Sequence, residues 1–334
     1  MKKIFTIFMF MCSGLFVMAE TADSTKWRPV FGLNYMGDLH TDFKKAKFVN
    51  ALWLSAELPI TRKLSFDIST VTIAATDNEP LLYNILGYSS VDAETTPLAL
   101  AVAGLDWQIN DKHRLFFGIR NMDEDYFNND TYALFTNSSC GNFPTLGNNF
   151  DIASYPMAAL GIHYAFDSER WGAQASLYNG AGNKDFTGRN NVFRFCPKSD
   201  GVMGLAQVEH KWKDSHYYLG TSLHSGDNFN STIWAYVDQK IGSQWSILAA
   251  YSHAFGEDAL CNNFAGVGAK FDWKCLETGI FSEYAHEDGV DEWATEFSCR
   301  VNCGKYFSVQ PAVHVITSEG KTSCVGLVRL AVSL

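Results

Sequence analysis

From about residue 27 to the C-terminus the apolar residues of this chain recur at every second position, and no stretch of useful length recurs every three or four. Leu64, Phe66, Ile68 and Thr70 alternate with Lys63, Ser65, Asp67 and Ser69. Leu115, Phe117 and Ile119 alternate with Arg114, Phe116, Gly118 and Arg120, and Ala265, Val267, Ala269, Phe271 and Trp273 with Gly266, Gly268, Lys270 and Asp272. A period of two marks β-strands with two unlike faces. One face is apolar; the other, Phe116 aside, is small, polar or charged.

The pattern predicts strands near 27–36, 46–58, 63–72, 97–109, 113–120, 153–165, 170–180, 201–212, 215–225, 231–241, 244–254, 263–273, 275–286, 292–302, 306–316 and 323–334. Short connections (59–62, 110–112, 166–169, 213–214, 242–243, 274, 303–305) alternate with longer ones (72–97, 121–152, 181–200, 226–230, 255–262, 287–291, 317–322). That alternation belongs to membrane-spanning barrels with short turns at one rim and long loops at the other. The expected fold is therefore an all-β transmembrane antiparallel barrel of about 16 strands. Closure has a direct cause: in lipid an open sheet edge would leave backbone groups without partners.

Composition fits a sheet with one face in lipid. Aromatic residues reach 14%, and charged residues are 19%, against about 25% in ordinary soluble domains. Trp107, Trp171, Trp212, Tyr217, Trp245, Trp273, Tyr284, Trp293 and Tyr306 lie near expected strand ends, as interfacial girdles do; the alternative is core aromatics of a soluble sandwich or propeller. At the N-terminus Lys2 and Lys3 precede an apolar run from Ile4 to Val17 and the small-residue pattern Val17-Met18-Ala19. This reads as a secretory signal peptide, residues 1–19, followed by one barrel domain, 20–334. Its removal would take the net charge from −10 to −12, two lysines fewer. An acidic balance argues against a nucleic-acid partner; the expected surroundings are outer-membrane lipid, as monomer or homo-oligomer.

Seven cysteines remain beyond Cys12, at 140, 196, 261, 275, 299, 303 and 324, with no Cys-x-x-Cys pair. In an oxidising compartment an odd number leaves at least one thiol free or intermolecular. Cys140 and Cys196 could staple two loops. No zinc-ligand spacing is present, so neither a metal nor another cofactor is expected. A barrel hydrolase would need Ser, His and a carboxylate converging; His163, His210, His224, His253, His286 and His314 are scattered over separate strands, and no Gly-x-Ser-x-Gly elbow occurs. Asp123, Glu124 and Asp125 could serve a glycoside hydrolase, but three consecutive acids in a polar loop more often form a solvated cluster. Gly180 and Gly182 read as turn residues rather than a phosphate cradle. A non-transporting structural or adhesive barrel is the main competitor to a channel, and it would have a filled lumen.

The longest connection, 121–152, is rich in Asn and Asp, and a loop of that length is usually functional. In a closed barrel it can fold inward and narrow the lumen. Parity places Trp53, Glu57, Asp67, Asp106, Arg114, Arg120, Glu209, Lys211, Trp234, Tyr236, Asp238, Lys270, Asp272, Glu296, Arg300 and Arg329 on the inner face. Arg120, beside Asp123 and Asp125, is the expected narrow point. The competing reading is that such charges merely pair across strands and brace the wall.

An ordered set of segments carries a resemblance. Gly118-Ile119-Arg120 leads to Asp123-Glu124-Asp125-Tyr126-Phe127, then Phe135-Thr136-Asn137-Ser138-Ser139-Cys140-Gly141 with Pro144-Thr145, then Tyr155-Pro156-Met157-Ala158-Ala159-Leu160-Gly161. Trp171, Gln174-Ala175-Ser176-Leu177-Tyr178-Asn179-Gly180, Phe193-Arg194-Phe195, Leu219-Gly220 and His224-Ser225-Gly226-Asp227 follow. In this order, and with a weaker likeness through Val237-Asp238-Gln239-Lys240 and Val309-Gln310-Pro311 to the C-terminus, residues 105 to 334 resemble the carbohydrate-selective porins of the OprB type. It departs from them in its shorter length, its first 100 residues, Cys140 in place of an apolar or aromatic residue, and Leu334 in place of a terminal aromatic. The resemblance implies passive, channel-mediated diffusion of carbohydrates across the bacterial outer membrane.

Overall fold

A computed structural model describes residues 28–226, 229–256 and 259–334. The expected signal peptide lies outside them. The strands are β1 (Val30–Thr41), β2 (Ala46–Pro59), β3 (Leu64–Ala75), β4 (Thr96–Asn110), β5 (His113–Arg120), β6 (Ala159–Asp167), β7 (Trp171–Asn179) and β8 (Val202–Trp212). They continue with β9 (Ser215–Ser225), β10 (Phe229–Ile241), β11 (Trp245–Phe255), β12 (Cys261–Trp273), β13 (Leu276–Glu287), β14 (Val290–Asn302), β15 (Phe307–Ser318) and β16 (Lys321–Ser333). Each strand pairs antiparallel with its sequence neighbours, and β1 closes on β16 with Asp38 opposite Arg329. No described helix is long and apolar enough to cross a membrane; the strands do the crossing.

Every expected strand is present, most ends lie within three residues of the expected ones, and two are shifted further. The first runs on to Thr41 rather than stopping near 36, and β6 begins at Ala159 rather than 153. Residues 153–158 belong to the preceding loop because their backbone groups bond there: Ala153 accepts from the Met122 amide, and the Tyr155 amide donates to Asp123. Pro156 has no amide to give a ladder.

Two expected longer connections are corrected. The β13–β14 and β15–β16 links are tight two-residue turns, 288–289 and 319–320. Asp288 (φ 47°) with Gly289 (φ 79°), and Glu319 (φ 50°) with Gly320 (φ 73°), have the paired positive φ of a type I′ hairpin, whose twist matches the flanking strands. Long loops are therefore confined to one arc: 76–95 after β3, 121–158 after β5 and 180–201 after β7.

Outward residues are large, apolar and exposed, Leu54, Phe117, Leu219, Val267 and Phe297 among them. Trp107, Trp171, Trp212, Trp245 and Trp273 form a belt beside the short turns. Lys213, Lys274 and Lys305 lie over the rings of Trp212, Trp273 and Tyr306 at 4.9, 5.2 and 4.9 Å. Such amphipathic rings and snorkelling cations fit a membrane interface.

Val267 sits mid-strand on this outer face. Val267→Arg is expected to lower stability in lipid vesicles by about 2–4 kcal/mol, measured by urea titration. A neutral result would remove this face from the hydrocarbon.

Candidate functional site

The 76–95 and 121–158 loops both fold into the barrel, where inward carboxylates hold them. Glu296 on β14 accepts from the Thr136 amide at 2.8 and 3.0 Å, from the Thr136 hydroxyl at 3.0 Å and from the Asn137 amide at 3.2 Å. Glu283 on β13 accepts from Asn137 Nδ2 at 2.6 Å and from Ser139 Oγ. Glu292 on β14 takes the amides of Ile85 and Leu86 at 3.0 and 2.9 Å and Asn84 Nδ2 at 3.2 Å. Asp238 on β10 takes the Thr131 hydroxyl at 2.7 Å and amide at 3.2 Å. Each carboxylate offers several lone pairs, so one side chain satisfies two or three buried donors that a loop inside a barrel would otherwise strand.

The roots of the loops are fixed the same way. Arg120, at the end of β5, grips Asp125 bidentately with both bonds at 2.6 Å. Asp123 accepts from Ser154 Oγ at 2.9 Å and the Tyr155 amide at 2.8 Å, tying the two ends of the long loop together. Desolvation among loop atoms pushes its carboxyl up to about 7 although these donors pull it down. Asp38 on β1 joins Arg329 on β16 (2.8 Å to each of two nitrogens) and the Ser89 hydroxyl (2.8 Å), so the closing seam also holds the 76–95 loop. The loops bond each other through Ser90 N to Thr136 O at 2.7 Å and Ser138 N to Gly87 O at 2.9 Å.

Between these polar tethers lies an apolar core. Met122, Tyr126, Phe127, Tyr132, Phe135, Phe143 and Leu146 from the long loop pack on Trp234, Tyr236, Leu248, Phe264 and Phe281 from the wall. Phe127 and Phe143 centroids are 4.5 Å apart, and Phe143 and Phe264 4.8 Å. Wall glycines make room: a Cβ on Gly220 would come within 2.2 Å of the Trp234 ring, and one on Gly266 within 2.4 Å of Phe281. Trp234 and Tyr236 both use Gln207 Oε1 as acceptor, at 3.0 and 3.3 Å.

Below this plug, toward the short turns, the inner wall is charged and reaches water. Arg114 bonds Asp106 through Nε at 2.6 and 2.8 Å and faces Asp67 at 3.9 Å. Lys211 lies 3.7 Å from Glu209, which also takes His216 at 2.6 Å. Lys270 pairs with Glu277 at 2.8 Å and Asp272 at 3.2 Å, and Arg300 donates to Glu277 at 3.2 Å and to the loop carbonyl of Ala133 at 2.7 Å. Glu124, Asn128 and Asp130 on the underside of the loop, and Glu57 on β2, are exposed. Trp53 and Tyr155 stand 5.7 Å apart on the same side, half-buried.

The structure thus divides the residues singled out by parity. Arg114, Glu209, Lys211, Arg300, Trp53, Glu57, Asp67 and Asp272 line the water-accessible vestibule, with Asp106 buried behind Arg114. Trp234, Tyr236 and Glu296 point inward but are each only 1% exposed beneath the loop. Asp238, Arg120 and Arg329 are likewise buried in tethers rather than open to a pore, with Asp125 beside Arg120. The tethers Glu283, Glu292 and Asp38 escaped sequence reading. Their only signal was an acid at an inward position of its strand, Glu283 with the parity of Glu277 and Glu292 with that of Glu296. The Cys140–Cys196 staple is corrected: all seven described cysteines are free, and Cys140 is buried in the lumen while Cys196 lies in the 180–201 loop. Among the described residues no group of His, Cys, Asp and Glu could hold a metal ion.

Solved structures with this architecture are outer-membrane barrels. The high-pH structure of Pseudomonas putida OprB superposes with a TM-score of 0.77 at 12% identity, over 92% of this chain and 94% of that one. The trimer form of Vibrio cholerae OmpT, an outer membrane protein, gives 0.62 at 10% identity over 92% and 99%. A mutant of the Rh. blastica porin gives 0.61 at 9% identity over 92% and 100%. At these identities the likeness is one of fold. No family model matches the chain, and no curated protein does.

Glu296→Ala would strand the amides of Thr136 and Asn137, while the Thr136 hydroxyl keeps His314 Nε2 at 3.0 Å. The expected cost is at least about 2 kcal/mol, since each unsatisfied donor costs about 1–3 kcal/mol. It should appear as faster hydrogen exchange and proteolysis in 121–158 with the barrel strands still protected. Unchanged protection would mean that the tether does not hold the loop.

Proposed function

We propose that this chain is a porin of the bacterial outer membrane, through which small neutral polyhydroxylated solutes, carbohydrates among them, diffuse passively. The observation that carries this reading is the vestibule: a broad barrel with water-exposed, internally paired charges under an inward-folded loop. Sixteen strands enclose more space than wall side chains can fill. Paired charges offer hydroxyl donors and acceptors at close quarters without a strong net field. Trp53 and Tyr155 add aromatic faces on which the C–H side of a sugar could pack. The resemblance across residues 105–334 supports the carbohydrate class. On this reading the solute passes between the underside of the 121–158 loop, at Glu124 and Asn128, and the β2–β5 wall at Trp53, Glu57, Asp67 and Arg114. The loop is the constriction, Arg120 and Asp125 position it, and no catalytic chemistry is required.

One observation favours a second reading. The upper lumen is packed with aromatic side chains, as a non-transporting barrel with a structural or adhesive role would be. Flux through purified protein in liposomes separates the two. The expected result is entry of neutral mono- and disaccharides ahead of ions of equal size, with relative rates changed several-fold by Arg114→Ala, which frees Asp106 and Asp67 to face the pore. Entry graded by size alone would remove the carbohydrate preference. No flux through a folded barrel would sink the porin reading and leave the structural one.

A further inference from the structure

The 180–201 loop does not follow the other two inward. Its Val192 is buried against Leu100, Ile119, Ala158, Ile68, Ala103 and Leu160, which belong to the outer face of β3–β6 or to the residue before β6. The side is fixed by register: Ile68, Ala103, Ile119 and Leu160 are mutual cross-strand partners, one residue from the inward Asp67, Gly104, Gly118 and Gly161. The Val192 amide closes on the Asp185 carbonyl at 2.9 Å, Asn183 forms a bridge with Ala158, and Lys184 pairs with Glu94 at 3.1 Å. The loop is therefore a strap lying on the outside of the barrel.

It lies where the wall is lowest. β5, β6 and β7 have 8, 9 and 9 residues, whereas β4 has 15. At about 3.4 Å per residue and a tilt of about 40°, eight residues rise only about 21 Å, short of the apolar band of about 25 Å that such barrels present. Ile119 and Leu160 stand at the long-loop ends of β5 and β6, so Val192 covers the place where the band runs out. Next to it in the chain Phe193 and Phe195 are 57% and 56% exposed, as are the outward Leu98, Leu105, Phe117 and Ile162 of the wall that Val192 covers, at 39–58%.

We propose that this strap is a lipid-binding surface: Phe193 and Phe195 enter the leaflet at the long-loop rim and complete the apolar band over β5–β7, and the basic residues around them meet phosphate-bearing headgroups. Charge complementarity supports the headgroup class. The strap carries Lys184, Arg189, Arg194 and Lys198 against Asp185 and Asp200, a surplus of two positive charges in a chain of net charge −10. Arg194 is engaged with Asp200 at 2.8 Å, and Lys184 with Glu94, while Arg189 and Lys198 are exposed and have no ion-pair partner among the described residues. Apolar anchors flanked by such cations are how segments lie in a membrane interface.

A photocrosslinking amino acid in place of Phe193, with Phe117 as lipid-facing control, tests this in full-length protein. The protein is reconstituted into phosphatidylcholine vesicles with or without bisphosphorylated lipid A, and mass spectrometry reads the adducts. Lipid adducts at both positions, with lipid A enriched at 193 and that enrichment lost several-fold in Arg189→Ala/Lys198→Ala but not on adding free inorganic phosphate, are expected. Lipid adducts at 117 alone would overturn the proposal. So would a chain-to-chain adduct at 193, which would assign the surface to a second copy of the protein. Lipid adducts at 193 without preference for lipid A would overturn the headgroup assignment.

Discussion

In hydrocarbon a backbone amide or carbonyl has no solvent partner, and every feature of this molecule descends from that requirement. The ladder of β1 on β16 meets it as far as Leu334: Leu33 and Leu334 exchange amide-to-carbonyl bonds of 3.1 and 2.9 Å where the first and last strands meet. Closing sixteen tilted strands then fixes a circumference, and that circumference encloses more volume than wall side chains can occupy. The interior must be taken up by water or by folded-in chain. Here the upper part holds chain and the lower part presents paired charges to water.

Folding chain into a barrel recreates the original problem, since loop amides leave water as well. The structure solves it with carboxylates. Glu283, Glu292, Glu296 and Asp238 are single side chains that each accept two or more donors from an inward loop. Burying an acid is costly in isolation, and multiple charge-assisted bonds offset that cost. This gives part of the chain's acidic balance a structural role. It also explains why the loop is rich in Asn, Ser and Thr although it is largely buried: these are the donors that the carboxylates need.

The barrel was legible in the sequence because its two-residue period is imposed by lipid on one side, and the outer face cannot compromise. Parity alone placed Glu296 and Arg329 inward, but it says nothing about what an inward side chain meets. Trp234 and Arg114 have the same parity; one is sealed under Phe127 and Tyr126, the other faces water. A sharper signal was present in the pairing of inward aromatics with inward glycines. Trp234 sits opposite Gly220 and Phe281 opposite Gly268, a small-against-large complementarity that a water-filled lumen does not require. The tight turns at 288–289 and 319–320 were also written in the chain, as Asp-Gly and Glu-Gly, and were outweighed by the expectation that loops at one rim should be long.

The three long loops are not spread around the rim but follow β3, β5 and β7 in succession, over the arc that includes the shortest strands. That clustering links the plug to the outer strap. Where β5 ends at Arg120, the chain turns inward and is held by Asp125; where it returns, Ala158 bonds Asn183 of the strap and packs beneath Val192 before β6 begins. Lengthening these strands to full height would draw into the sheet the residues that clamp the plug on one side and seat the strap on the other. The low wall is therefore the geometric condition for both, and an account of how solutes pass the plug has to include the lipid-side contacts that hold this arc in place.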